Sequence, residues 1–272
     1  MKFRTARFLL PLILLTTLAG LQCATAQQTA NPQATSQIQT VLAPTGSLRV
    51  ALYTGTPTSV LTKDDLRGVG YDLGKELARR LGVPFQPMIF SKNADVLDAV
   101  KEGRADVAFT NASAERAKDM DFTQPYLIIE LGYLAGQKAT VRTLADVDKP
   151  GVRVGVTAKS SSETVLTRDL KNAQVVPVET VGVGVQMLAA GTLDLYATNK
   201  ATLFEMGDKL PGSRILDGSW GAERHALAIP KGRDSGLPYV KAYIADAISS
   251  GRVKSAVDRA GLRGAVVAGS QP

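Results

Sequence analysis

The sequence predicts an α/β protein of two Rossmann-like lobes with a central cleft, and three observations carry that expectation. Residues 103–111, Gly-Arg-Ala-Asp-Val-Ala-Phe-Thr-Asn, return at 191–199 as Gly-Thr-Leu-Asp-Leu-Tyr-Ala-Thr-Asn. An apolar run lies upstream of each copy, Leu-Arg-Val-Ala-Leu at 48–52 and Val-Arg-Val-Gly-Val at 152–156. Runs of strand character alternate with segments at helical spacing, as in parallel sheets joined by helical crossovers. Facing lobes leave a cleft, and a cleft is where a small molecule binds.

The elements follow in order. Residues 47–53 form a short apolar run between turn formers, a buried-strand signature. Leu73, Leu77 and Leu81 then fall at helical spacing, with Asp72 as N-cap and Gly82 as the stop before Pro84. Residues 83–90 read as a second strand, Val96, Leu97 and Val100 mark a short helix, and Val107 begins a third strand. The long apolar run 126–135 is the expected crossing from one lobe to the other. The second lobe repeats the plan: strand 152–157, helix from about Ser162, strand near Val175, helix 183–190 and strand 194–197. A return strand is expected at 225–229, then two helices at 237–249 and 253–260. The expected lobes are 46–128 with 232–272, and 129–231.

The N-terminus reads as an export signal. Lys2, Arg4 and Arg7 precede the apolar run 8–21, and Ala24-Thr25-Ala26 fits a small-residue cleavage site. Lipid attachment at Cys23 is disfavoured, because Gly20-Leu21-Gln22 places no small residue directly ahead of it. Cleavage after Ala26 removes the only cysteine and three positive charges, so a formal +7 becomes about +4 (7 minus 3). That balance is too mild to imply nucleic acid. Residues 27–44 lack charge and are rich in Gln, Thr, Ala and Ser, and read as a flexible leader. With one histidine and no mature cysteine, the usual zinc ligands are missing, and no cofactor motif is present.

Ligands of parallel sheets collect beyond the carboxyl ends of strands. Those positions here are Tyr53-Thr54-Gly55, Thr110-Asn111, Lys159-Ser160-Ser161-Ser162 and Thr198-Asn199. Each alone reads as an ordinary cap or turn. Together, at equivalent ends, they read as a binding site.

One segment goes beyond pattern. Glu115-Arg116, followed by Asp121-Phe122-Thr123-Gln124-Pro125-Tyr126, resembles the E-R-x-x-x-x-D-F-[ST]-x-P-Y signature of bacterial periplasmic solute-binding proteins of family 3. These are the polar amino-acid binders of ABC importers. Gly70-Tyr71-Asp72 resembles the family's G-F-D, and Arg153-Val154-Gly155-Val156 its K-V-G-V. The likeness runs from about Leu48 to Gly261.

The resemblance implies a type II periplasmic binding protein, not an enzyme. It would be a monomer that closes on a small solute and presents it to an inner-membrane permease. It assigns Arg116 to the ligand carboxylate, which a planar guanidinium can grip with two parallel hydrogen bonds. Ser160 and Ser161 match the second-lobe G-[TS]-[TS] loop, with Lys159 in the glycine's place. Thr110, Asn111 and Ser113 occupy the first-lobe loop, with Tyr53 and Thr54 at the end of strand one.

Three departures bear on the solute. Asn199 stands where the family has an ammonium-binding aspartate. Pro57-Thr58-Ser59-Val60 replaces the usual aromatic after strand one, leaving Tyr53 as the nearest ring. The stretch from Asp106 to Arg116 is about two residues short. A cation without its matching anion points to a small carboxylate or a modified amino acid. The alternative is an enzyme like the cyclohexadienyl dehydratases, which would need a buried carboxylic acid; Glu163, Glu179 and Glu205 lie in the second lobe. His225 reads as a structural or exposed histidine, and Trp220 as packing.

Overall fold

The structure, a computed structural model, describes Met1 and residues 35–269. The expected signal segment beyond Met1 and its cleavage site lie outside the described residues. So does the chain beyond Gly269.

The leader is not flexible throughout. Helix α1 (Ser36–Leu42) is capped by the Thr35 hydroxyl, which accepts from the Ile38 amide. Ile38, Val41 and Leu42 fall at i, i+3 and i+4, and Leu42 is fully buried in the first core. Gln39 Nε2 donates to the Leu81 carbonyl at 2.6 Å. A polar composition hid three apolar residues on one helical face, which suffice because the fold offers them a groove.

The first half contains β1 (Leu48–Tyr53), α2 (Val69–Leu81), β2 (Phe85–Phe90), α3 (Asn93–Lys101) and β3 (Val107–Asn111). Helix α2 starts before Asp72, which therefore lies in its first turn rather than capping it. Gly82 ends it at φ +69°, a conformation that favours glycine. The chain continues through β4 (Met120–Phe122) and β5 (Leu127–Ala135) into the second half. That half holds β6 (Arg153–Thr157), α4 (Ser161–Asp169), β7 (Gln174–Val178), α5 (Val181–Ala190), β8 (Leu195–Asn199), α6 (Lys200–Gly207) and β9 (Arg214–Ile215). The return is β10 (Gly221–Pro230), followed by α7 (Leu237–Ser249), α8 (Arg252–Ala260) and β11 (Ala265–Val267).

Hydrogen bonding runs β2-β1-β3-β10-β5-β8-β6-β7, with β4 on β10 and both β9 and β11 on β5. Strands β1 to β3 are mutually parallel around β1, and β6 to β8 around β6. The two longest strands cross between the halves. Strand β5 changes partner at Leu131, from β10 to β8, and β10 changes at His225, from β5 to β3. Each half buries apolar side chains in two clusters, for example Leu48 and Ala51 in the first half and Leu166 and Leu188 in the second.

The internal repeat has a structural cause. Asp106 accepts from the Arg49 amide at 2.8 Å and from its guanidinium, which also donates to the Gly103 carbonyl at 2.9 Å. Asp194 accepts from the Arg153 amide at 2.8 Å and its guanidinium, which donates to the Gly191 carbonyl at 2.8 Å. Both glycines have positive φ, +68° and +73°. One arginine–aspartate–glycine clasp thus fastens the central strand of each half to the turn before the third.

Candidate functional site

The carboxyl ends of β1, β3, β6 and β8 converge on a cavity of about 640 Å³ floored by the crossing strand β10. Tyr53, Thr54, Thr110, Asn111, Arg116, Ser160 and Asn199 all line it. Ser161 joins the network by its hydroxyl. Ser113 stands behind it, its Oγ accepting from the Arg116 amide at 3.3 Å. Lys159 is exposed and does not line the cavity. Its φ of +58° is the left-handed geometry that glycine would take without strain.

Arg116 opens a 3-10 turn after β3. Its Nη1 donates to Thr110 Oγ1 at 2.8 Å and to the Asn111 carbonyl at 3.0 Å. Among the described residues neither Nε nor Nη2 has a protein acceptor. One edge of the fork is thus anchored while the other remains for a ligand. Burial lowers the guanidinium below its ordinary range, and Glu223 and Tyr53 oppose that effect. Burial also pushes the Tyr53 phenol up to about 12, reinforced by Glu223.

The halves touch across the cavity. Asn111 Nδ2 donates to Ser161 Oγ at 3.1 Å, and Thr202 contacts Thr56 through their hydroxyls at 3.4 Å. Nearer solvent, Lys92 pairs with Glu179 at 2.8 Å.

Glu223 is the site residue that sequence reasoning missed. Buried on β10, it shares a face with His225 two positions on, as strand alternation requires. Its Oε2 accepts from Asn199 Nδ2 at 2.8 Å and lies 2.9 Å from His225 Nε2. Its Oε1 receives only a 3.3 Å contact from Ser161. Burial raises this carboxyl, but His225, Arg116 and Asn199 together hold it below the usual carboxylate range. The usable signal was the Glu-x-His spacing. Reading the strand from His225 rather than Gly221 left the glutamate in a loop.

His225 is 3 % exposed and lines the cavity, its Nδ1 without a partner among the described residues. With a carboxylate at Nε2, that nitrogen carries the proton. Of the three carboxylates singled out from sequence, Glu179 pairs with Lys92, Glu163 accepts from the Lys159 amide and Glu205 pairs with Arg263. Trp220 donates to the Gly132 carbonyl at 3.1 Å and packs near Tyr133. Among the described residues no cluster is arranged to hold a metal, and no helix is long and apolar enough to cross a membrane.

Two α/β lobes joined by paired crossing strands, with a cation in the cavity between them, define a type II periplasmic binding protein. The family model for bacterial extracellular solute-binding proteins, family 3, matches residues 48–261, and the chain belongs to that family. Family members are extracellular or periplasmic substrate-binding proteins of ABC transporters. No curated protein matches the chain in a sequence comparison. Among similar solved structures is a putative ABC-transporter binding component from Wolinella succinogenes complexed with lysine. It is 24% identical, covers 79% of this chain and 95% of its own, and has a TM-score of 0.69. The L-cysteine solute receptor of Neisseria gonorrhoeae is 21% identical, covering 82% and 92%, with a TM-score of 0.73. An ancestral amino-acid-binding protein, described as a precursor of cyclohexadienyl dehydratase, is 23% identical, covering 82% and 98%, with a TM-score of 0.70. These likenesses establish a shared fold.

Proposed function

We propose that this chain is the periplasmic solute-binding component of an ABC importer, exported by its N-terminal signal. It closes on a small carboxylate-bearing solute and delivers it, as a monomer, to an inner-membrane permease. The observation that carries the reading is Arg116, anchored through Nη1 and free along its other edge inside the cavity. A carboxylate can take two charge-assisted hydrogen bonds from that edge. Thr54, Ser160 and Tyr53 supply further polar groups nearby. The lobes we propose are 46–128 with 232–272, and 129–231, linked by β5 and β10, which change partners at Leu131 and His225. Closure is then a hinge motion about those strands.

Titration calorimetry of ligand-stripped protein against amino acids and organic acids tests the reading. At least one carboxylate should bind the wild type and lose more than about a hundredfold in affinity with Arg116→Ala. Equal affinities of the two proteins would overturn it. Scattering should show a smaller radius of gyration on saturation with that ligand.

A further inference from the structure

We propose that residues 262–267 form a strap across the hinge, which favours the closed arrangement of the two halves and so sets how tightly the solute is kept. The proposal rests on the hinge reading above and deepens it. The strap lies beyond Gly261, where the family model stops matching, so it is not among the features that place the chain in its family. Its first-half anchor is twofold. Leu262 is buried in the first core, and β11 hydrogen bonds antiparallel to β5 from Ala265–Ile129 to Val267–Leu127. The Ala268 amide extends that ladder to the Tyr126 carbonyl at 3.0 Å. Every β5 residue in the ladder precedes Leu131, where β5 passes from β10 to β8.

The second-half anchor is Arg263. Its Nη1 donates to Asp208 Oδ1 at 3.3 Å, and its Nη2 to Glu205 Oε1 at 3.2 Å and to Asp208 Oδ2. The guanidinium carbon lies 5.1 Å from the centroid of the Phe204 ring. Phe204 and Glu205 belong to α6, and Asp208 follows it directly. Between the anchors Gly264, at φ +70°, lays the chain against that ring, where an added Cβ would come 3.0 Å from Phe204 Cε2. One cation thus holds a helix of the second half while its own backbone is fixed to the first. Rotation about the crossing strands moves α6 relative to β11, and hydrogen bonds of this length are lost within about 1 Å of displacement. The halves touch at Asn111–Ser161, Thr202–Thr56 and Lys92–Glu179, so the intact strap accompanies the closed arrangement. The side chains of Arg263 and Asp208 are 44% and 61% exposed, so the strap biases the equilibrium without freezing it. A solute that needs the closed form binds more weakly in proportion as that form is depopulated.

Small-angle scattering on the solute-free wild type, Arg263→Ala, Arg263→Glu, and Arg263→Glu combined with Asp208→Arg tests the strap. The radius of gyration should rise in Arg263→Ala, rise further in Arg263→Glu, and fall back toward the wild type when the charges are swapped. Calorimetry with the tightest-binding acid of the panel above should show affinity falling about two- to fivefold in Arg263→Ala, the worth of a surface ion pair read as a population shift. At saturation with that acid the variant and the wild type should share one radius. Thermal melts check that each variant folds, and the charge swap decides the matter if a single variant does not. Equal radii and affinities in the wild type and the Arg263 variants would overturn the strap, while contraction of the wild type with the acid keeps the hinge reading. A wild type whose radius does not change at saturation would overturn the hinge and the strap with it.

Discussion

Asn199 and Glu223 form a buried amide–carboxylate pair, Nδ2 donating to Oε2 at 2.8 Å, that links the end of β8 to the crossing strand. Asn199→Asp keeps a capping oxygen for α6 but sets a second carboxylate against the first. The pair then shares a raised folded pKa, so its stability is full below the unfolded value and falls as pH rises through the folded one. We expect a loss of about 2–4 kcal/mol at pH 7.5 that shrinks at about pH 4.5, read from thermal melts at both.

Arg116→Lys separates charge from geometry. A lysine keeps the cation but cannot hold Thr110 Oγ1 and the Asn111 carbonyl while presenting a planar edge to the solute. Carboxylate affinity should fall about tenfold or more by calorimetry, with the melting temperature little changed.

The two clasps should differ in worth. Asp106 is fully buried and also accepts from Arg233 at 2.8 Å, whereas the side chains of Arg153 and Asp194 are 36% and 25% exposed. In urea denaturation Asp106→Ala should cost about 3–5 kcal/mol, because it strands the part-buried guanidinium donors of both Arg49 and Arg233. Asp194→Ala should cost about 1–2 kcal/mol, since water can replace part of what is lost.

Glu76 gives a pH signature. Hydrogen bonds first from Arg79, then from Arg80, hold its carboxyl down at about 2. A depressed folded pKa contributes stability above the unfolded value, about 4.5, and that contribution disappears as pH falls toward 2. Glu76→Gln should lose about 1–2 kcal/mol at pH 7 after allowance for partial exposure, and nothing at about pH 2, by denaturant titration at each pH.

Gly184 lies against the Tyr196 ring, where an added Cβ would sit 2.2 Å from Cε2. Tyr196 hydrogen bonds Thr157 at 2.7 Å beside the cavity, so the ring cannot retreat freely. Gly184→Ala should destabilise by about 1–3 kcal/mol in thermal melts.

Much of the fold was legible because burial leaves local periodicity. Helix α7 was predicted at its observed bounds, and the strands at β1, β6 and β8 within a residue or two. Arg116 was legible from its signature, and the structure brings it together with Thr110, Asn111, Ser160 and Asn199 around one cavity. Weak or brief patterns were lost: α1 inside a polar segment, and β4, β9 and β11, which have three residues or fewer. Such short strands exist only because a neighbouring strand holds them.

The sequence by itself determined two α/β halves and their internal repeat, which depend on local pattern, and its family signature singled out the cation at position 116. Only the tertiary structure decided that Glu223 lines the same cavity as that cation, with Asn199 as its donor. Their meeting depends on which strands pair at Leu131 and His225, and strand pairing over such separations leaves no period in the sequence to read.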